Sequence, residues 1–197
     1  MLAQALAAAH AKGVVHRDVK LSNLMLTASE PGLKVLDFGI SKLALEERET
    51  PLTASSHTLG TPEAMAPEQI LTPAQITDRC DVYLAGLVVY RLIAGRGPYV
   101  AETSSQYLMA HAFEEPMPLE SRAPEVSPTL AALVHACLAK APTDRPSMQE
   151  VAEALDGERA DVSALAVARR ILDEARSEAP PTKASAREEV TRAAGRA

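Results

Sequence analysis

The amino-acid sequence predicts a mainly α-helical chain with one small β-hairpin, and three observations carry that prediction. Aromatic residues are scarce, two Phe, four Tyr and no Trp in 197 residues, so Leu, Val, Ile and Ala must fill the core, and the Ala-rich balance favours helix. Asp78 through Ala94 runs almost continuously apolar in its second half, including Ala85-Gly86-Leu87-Val88-Val89-Tyr90, the pattern of a helix at the centre of a core. Two short apolar runs, Leu24-Met25-Leu26 and Leu33 to Leu36, enclose Ala28-Ser29-Glu30-Pro31-Gly32, which reads as a hairpin with a Pro-Gly turn.

The elements follow in order along the chain. Leu2 to Lys12 places Leu2, Leu6 and Ala9 near helical spacing, with Gly13 where a C-terminal cap belongs. After the hairpin, Gly39 to Gln69 has little periodicity and many Ser and Thr, so it reads as a long, partly mobile loop. Three further helices come after the central one, at about 103–113, 128–140 and 148–155. Ser127 and Pro128 supply an N-cap and a first helical residue, and Ser147 with Glu150 forms a capping box. These elements assign residues 1–156 to one domain and residues 157–197 to a charged, Ala-rich tail, helical over about 161–178 and disordered from Pro180-Pro181 onward.

Composition excludes several classes of function. The net charge is -6, the excess of acid lies ahead of Gly157, and no run of Lys and Arg interleaved with aromatics suggests nucleic-acid binding. Cys80 and Cys137 lie far apart without CxxC spacing, which argues for two buried free thiols in a reducing cytoplasm rather than a metal or redox site. There is no apolar run long enough for a membrane span and no leader pattern at the N-terminus, so the expected location is cytoplasmic.

The chemistry is concentrated in His16-Arg17-Asp18-Val19-Lys20-Leu21-Ser22-Asn23, which fits H-R-D-x-K-x-x-N, followed by Asp37-Phe38-Gly39. Five fixed residues at these spacings arise by chance at roughly one in a few million starting points. Gly60-Thr61-Pro62 and Ala66-Pro67-Glu68 then follow in order. Together these segments resemble the protein kinase family, in its bacterial serine/threonine branch, over about residues 1–155. The fold class implied is the large, C-terminal lobe of a protein kinase: a helical bundle with a small β-hairpin at the catalytic loop.

Phosphoryl transfer asks a protein for placement and for stabilisation of spreading negative charge, with little covalent work. The resemblance accordingly implies ATP and Mg²⁺ as cofactors and Ser/Thr hydroxyls of proteins as acceptors. Asp18 would accept the proton of the attacking hydroxyl. Asn23 and Asp37 would hold magnesium, hard oxygen donors for a hard cation. Lys20 would neutralise the transferred phosphate, and Thr61 would tie the substrate-docking loop to Asp18 and Lys20. Lys20, Asn23, Asp37 and Met25 form the expected cofactor-binding set. His16 and Phe38 are expected to pack in the core rather than act chemically. Asp81 is expected to hydrogen-bond the catalytic-loop backbone, and Glu68 to pair with Arg145 in Asp144-Arg145-Pro146. Arg17 marks kinases controlled by phosphorylation in the activation loop, where Thr50, Thr53, Ser55, Ser56 and Thr58 offer acceptors.

The sequence also departs from the family pattern. Only fifteen residues precede His16, too few for the β-rich small lobe with its glycine-rich loop, strand lysine and helix glutamate. The expectation is therefore a partial kinase domain, truncated before the small lobe and in want of that lobe or of a dimer partner to cover an apolar face. The competing reading is a catalytically inactive large lobe that serves as a protein-binding module. Smaller departures are Ala64 where the family usually has Tyr, Leu21 where Pro is common, and Leu84-Ala85 where Ser-Leu is frequent.

Overall fold

The computed structural model describes residues 1–27, 32–37 and 61–157. The chain divides into two compact units, Met1–Asp161 and Val162–Ala197, and every described residue lies in the first. Its elements are α1 (Leu2–His10), β1 (Leu24–Leu26), β2 (Leu33–Val35), α2 (Pro67–Leu71), α3 (Arg79–Ala94), α4 (Ser104–Phe113), α5 (Pro128–Cys137) and α6 (Met148–Gly157), with short 3-10 turns between several of them.

Helix α3 is the axis of the bundle. Cys80, Asp81, Val82, Tyr83, Leu84 and Tyr90 are fully enclosed, and each large apolar side chain so buried contributes about 1.5–3 kcal/mol. Helices α1, α5 and α6 all pack on α3. Gly86 permits the approach of α5, because a Cβ there would stand 2.9 Å from Cys137 Cβ. At the far end Gly95, at φ 74°, takes the left-handed conformation that stops the helix. Both cysteines are buried and neither forms a disulfide, and burial pushes the Cys137 thiol up to about 12.

The two strands pair antiparallel, with Leu24 opposite Val35 and Leu26 opposite Leu33. The hairpin rests on α1 through β2. The N-terminal capping of α4, α5 and α6 is explicit. Thr103 Oγ1 accepts from the Gln106 N–H at 3.2 Å, Ser127 Oγ from the Leu130 N–H at 3.1 Å, and Ser147 with Glu150 closes a reciprocal box at 2.7 and 3.2 Å.

Two boundaries differ from the sequence expectation. Part of the segment expected as loop is ordered into a 3-10 turn at Pro62–Ala64 and helix α2. Pro67 occupies the first turn of α2, where its missing N–H costs nothing, and the Gln69 side chain accepts from the Ala66 N–H at 2.9 Å. Helix α5 stops at Cys137 instead of reaching Lys140. The last turn tightens, with the Leu138 N–H shared between the Val134 and His135 carbonyls at 3.1 and 3.0 Å and the Ala139 N–H on the Ala136 carbonyl at 3.3 Å, and the free carbonyls of Ala139 and Lys140 beyond it accept from Arg145 at 2.7 and 2.9 Å. The helix expected at about 161–178 and the loop phosphate acceptors lie outside the described residues.

Candidate active site

Helix α1 delivers the chain into a loop whose conformation is set from below by Asp81 on α3. The Asp81 carboxylate, fully buried, accepts from the backbone N–H of His16 at 2.8 Å and of Arg17 at 2.7 Å, and pairs with His10 Nε2 at 2.8 Å. Arg17 is thereby held at φ 64°, a left-handed conformation uncommon for a residue with a Cβ. Its carbonyl is fixed as well, accepting from Gln69 Nε2 at 2.8 Å. A strained residue persists where its surroundings over-determine it, and here α2 and α3 grip the two peptide units on either side of Arg17.

Above this anchor the side chains converge. Lys20 Nζ lies 3.0 Å from Asp18 Oδ2, and Asn23 Nδ2 donates to the same oxygen at 3.0 Å and to the Asp18 carbonyl at 2.8 Å. Asn23 is buried, and donating through its nitrogen turns its amide oxygen away from Asp18. His16, also buried, receives the Asp18 N–H at Nδ1 over 3.2 Å and bonds the Leu36 carbonyl through Nε2 at 2.9 Å. The Leu36 N–H donates to the Asn23 carbonyl at 2.8 Å. Together, His16 and Asn23 link the loop to the end of the hairpin, where Asp37 follows at φ 52° with an exposed side chain.

The hydrogen bonds and the ion pair therefore close around Asp18, Lys20 and Asn23. Among the described residues no hydrogen bond or ion pair joins the side chains of Asp37, Met25 or Thr61 to Lys20 or Asn23. Met25 is exposed on β1, and Thr61 is exposed ahead of the Pro62–Ala64 turn, its carbonyl accepting from the Ala64 N–H at 2.9 Å. A second charged group lies deeper. Arg145 meets Glu68 bidentately at 2.7 and 2.8 Å, and it also donates to the carbonyls of Arg79, Ala139 and Lys140.

Between the two groups runs a buried polar chain. Lys140 Nζ donates to the Tyr99 hydroxyl at 2.8 Å and to the carbonyls of Ala110 and His111 at 3.1 and 2.9 Å. The Tyr99 hydroxyl lies 3.1 Å from that of Tyr83, which lies 3.0 Å from His111 Nδ1. Burial drives every shift here: Lys140 down to about 8, His111 down to about 4 with help from the Lys140 charge, Tyr99 up to about 12, and Tyr83 upward further still.

Sequence reasoning missed Gln69, His10 and His111. Gln69 carried a signal, since it stands at the third position of a helix opened by Pro67, where a side chain reaches back to the cap. His10 and His111 carried none, because their partners are distant in sequence.

A family model for the protein kinase domain matches residues 1–155, and the chain belongs to the protein kinase family. Within that family it is of the bacterial serine/threonine type. It is 44% identical over 144 residues to the serine/threonine-protein kinase Pkn1 of Myxococcus xanthus, covering 72% of this chain and 20% of that protein. It is 38% identical over 165 residues to pkn3 of the same organism, covering 79% and 30%. It is 40% identical over 158 residues to PkaA of Streptomyces coelicolor, covering 78% and 27%. The chain thus spans between a fifth and three tenths of the length of these curated relatives. Among the described residues no helix is long and apolar enough to cross a membrane.

Proposed function

We propose that this chain carries the phosphoryl-transfer centre of a serine/threonine protein kinase, acting on Ser and Thr hydroxyls of proteins. The observation that supports it best is the convergence of Lys20 and Asn23 on one oxygen of Asp18, each at 3.0 Å. Two donors on Oδ2 orient the carboxylate, and Asp18 then takes the proton of the acceptor hydroxyl as the hydroxyl oxygen attacks. Lys20 sits one ion-pair distance away, where its charge offsets that of the phosphoryl group in transit.

The donor set suits magnesium nucleotide. Asn23 and Asp37 offer oxygens, and a magnesium ion retains water and phosphate ligands beside one or two protein oxygens. Among the described residues no cluster of three or more His, Cys, Asp or Glu could hold a metal without such help. ATP, when bound, supplies the γ-phosphoryl group, and the metal spreads the charge that develops on it. Met25, exposed on the hairpin beside Leu26, belongs to the cofactor-binding set, and this apolar edge suits a covering partner, either a small lobe or a second chain. In this reading residues 1–156 form the kinase lobe and 157–197 a separate tail.

Calorimetric titration of the chain with ATP is expected to show binding that requires magnesium and disappears in Asp37→Ala. Transfer of labelled γ-phosphate to a serine-bearing protein is expected to disappear in Asp18→Asn. Absence of magnesium-dependent binding in the unmodified chain would overturn the catalytic reading in favour of a docking module.

A further inference from the structure

Helix α4 turns an apolar strip to solvent that the candidate active site does not use. Val100 is 72% exposed, Met109 57% and Phe113 61%, and Met117 is exposed as well. Met109 and Phe113 stand four residues apart, one above the other on the helix. Val100 and Met109 line one open cleft of about 530 Å³, together with Ala101, Glu102, Gln106 and Glu114. Exposed apolar side chains scattered singly are ordinary, whereas a contiguous group with a polar rim marks an interaction surface.

The strip sits on a fixed frame. Gln106 Oε1 accepts from the N–H groups of Glu102 and Thr103 at 2.8 and 3.0 Å, which pins the segment after Val100 to the first turn of α4. The Met117 N–H donates to the Pro98 carbonyl at 3.2 Å, so the chain leaving α4 returns beside the same segment. The charged residues of the cleft itself are of one sign. Glu102 and Glu114 line it and Glu115 follows, all three exposed, and among the described residues none of them forms an ion pair. Lys140 feels the charges of Glu114 and Glu115, but its three protons go inward, to the Tyr99 hydroxyl and the carbonyls of Ala110 and His111. At the Met117 end, Arg122 Nε is taken by Met117 Sδ at 2.9 Å. Arg91 and Arg96 line a neighbouring cavity of about 380 Å³ beside Lys20, along with Ala64 and His111.

We propose that this face of α4 docks a basic amphipathic helix of a partner protein. Its apolar side chains, one turn apart, seat against Val100, Met109 and Phe113, and its Lys or Arg side chains reach Glu102, Glu114 and Glu115. The proposal stands apart from the kinase reading, because no residue of the Asp18 group lines the cleft. Charge decides among the occupants that an apolar strip could take. A second copy presenting the same face would set these carboxylates against their own kind across a twofold axis. An anionic membrane or a nucleic acid would meet the same repulsion. A basic helix supplies both halves of the complement, and its rim charges add selectivity and speed of encounter.

The test titrates the full chain, ¹³C-labelled at its Met and Val methyl groups, with a helical peptide of roughly eighteen residues that carries Leu along one face and Lys along the other. One control peptide has Glu in place of every Lys, and a second has the same Leu and Lys in an order that leaves no apolar face. The Lys peptide is expected to shift the methyls of Val100, Met109 and Met117 and to bind at least about tenfold more tightly than either control, with an affinity that falls as salt is raised. Glu102→Lys combined with Glu114→Lys is expected to weaken it about tenfold, and Met109→Ser to weaken it as well. All three side chains are exposed, so the melting temperature is expected to stay where it is. Equal affinity for the Lys peptide and either control, or shifts confined to other methyls, overturns the proposal, and the wild-type series decides this even if a variant does not fold. Shifts at the same methyls on raising protein concentration alone would assign the strip to a second copy and overturn it. Binding to phosphatidylglycerol vesicles without binding to the Lys peptide would assign it to a membrane surface and overturn it too.

Discussion

Two charged groups in this molecule use the same chemistry to opposite ends. Arg145 and Glu68 meet bidentately with side chains 0% and 3% exposed, and three backbone carbonyls take further guanidinium protons. Lys20 and Asp18 meet at a single 3.0 Å contact with side chains 27% and 18% exposed. The first pair is saturated and dry. It fixes α2 against the start of α3 and the turn before α6, and it has nothing left to offer a ligand. The second is within reach of solvent, and an ammonium with three donors keeps capacity for an incoming phosphate. On the proposed function, burial and completeness of hydrogen bonding, rather than the residue types, separate the scaffold charge from the working one.

The sharpest way to break that contrast is to unpair the saturated group. Arg145→Met leaves the Glu68 carboxylate buried without its partner, and is expected to cost about 3–5 kcal/mol in urea unfolding. Replacing both, Arg145→Met with Glu68→Leu, is expected to recover part of that loss, because the penalty lies in the stranded charge. A result under 1 kcal/mol for the single variant would show that water reaches the pair.

His111 sharpens the comparison from another side, as a buried titratable group that stays neutral. Its folded pKa of about 4 lies below the ordinary 6.5, so the unfolded chain binds the extra proton between those values. Stability from this group is therefore present above pH 6.5 and is lost as the pH falls toward 4, by up to about 3 kcal/mol. His111→Gln lacks the titration. The stability gap between wild type and variant is expected to narrow across that window in pH-resolved melts. A gap that stays constant would mean that the imidazole is protonated in place.

Asp81 stands between the two extremes, buried like Glu68 yet serving the active loop. Asp81→Asn keeps the shape but sets an amide nitrogen against one of the two backbone N–H donors, at an expected cost of about 2 kcal/mol. Release of Arg17 from its left-handed conformation is expected to speed tryptic cleavage at that residue, a readout that a uniformly destabilised chain of equal stability would not share.

Much of this arrangement was legible in the sequence, for a physical reason. Asp18, Lys20 and Asn23 lie within six consecutive residues, so their spacing alone brings them together once the loop is held. The apolar run of α3 and the Ser147 capping box were likewise local signals. Tertiary partners were not legible. The carbonyls of Ala139 and Lys140 just past α5 are taken by Arg145, a partner that no local pattern names. The order in α2 depends on Gln69 bonding both Ala66 and Arg17. The cavity beside Lys20 has only Ala64 as a signal in the sequence, and His111 in its lining sits on another helix.

The smallest expected effect on stability is also the one that tests the contrast most directly. Lys20→Met removes a partly exposed single-contact pair, and such pairs are worth about 0.2–1 kcal/mol. Asp18 keeps the Asn23 donor at 3.0 Å, so its carboxylate remains oriented and the melting curve is expected to shift little. Phosphoryl transfer is another matter, since removing one preorganised positive group from a developing charge lowers kcat by about 100- to 1000-fold. A variant that unfolds with the wild type but has lost transfer would identify Lys20 as a working charge. One that loses stability and transfer in proportion would show that the ammonium is part of the scaffold, as Arg145 is, and that partial exposure alone does not free a charge to act.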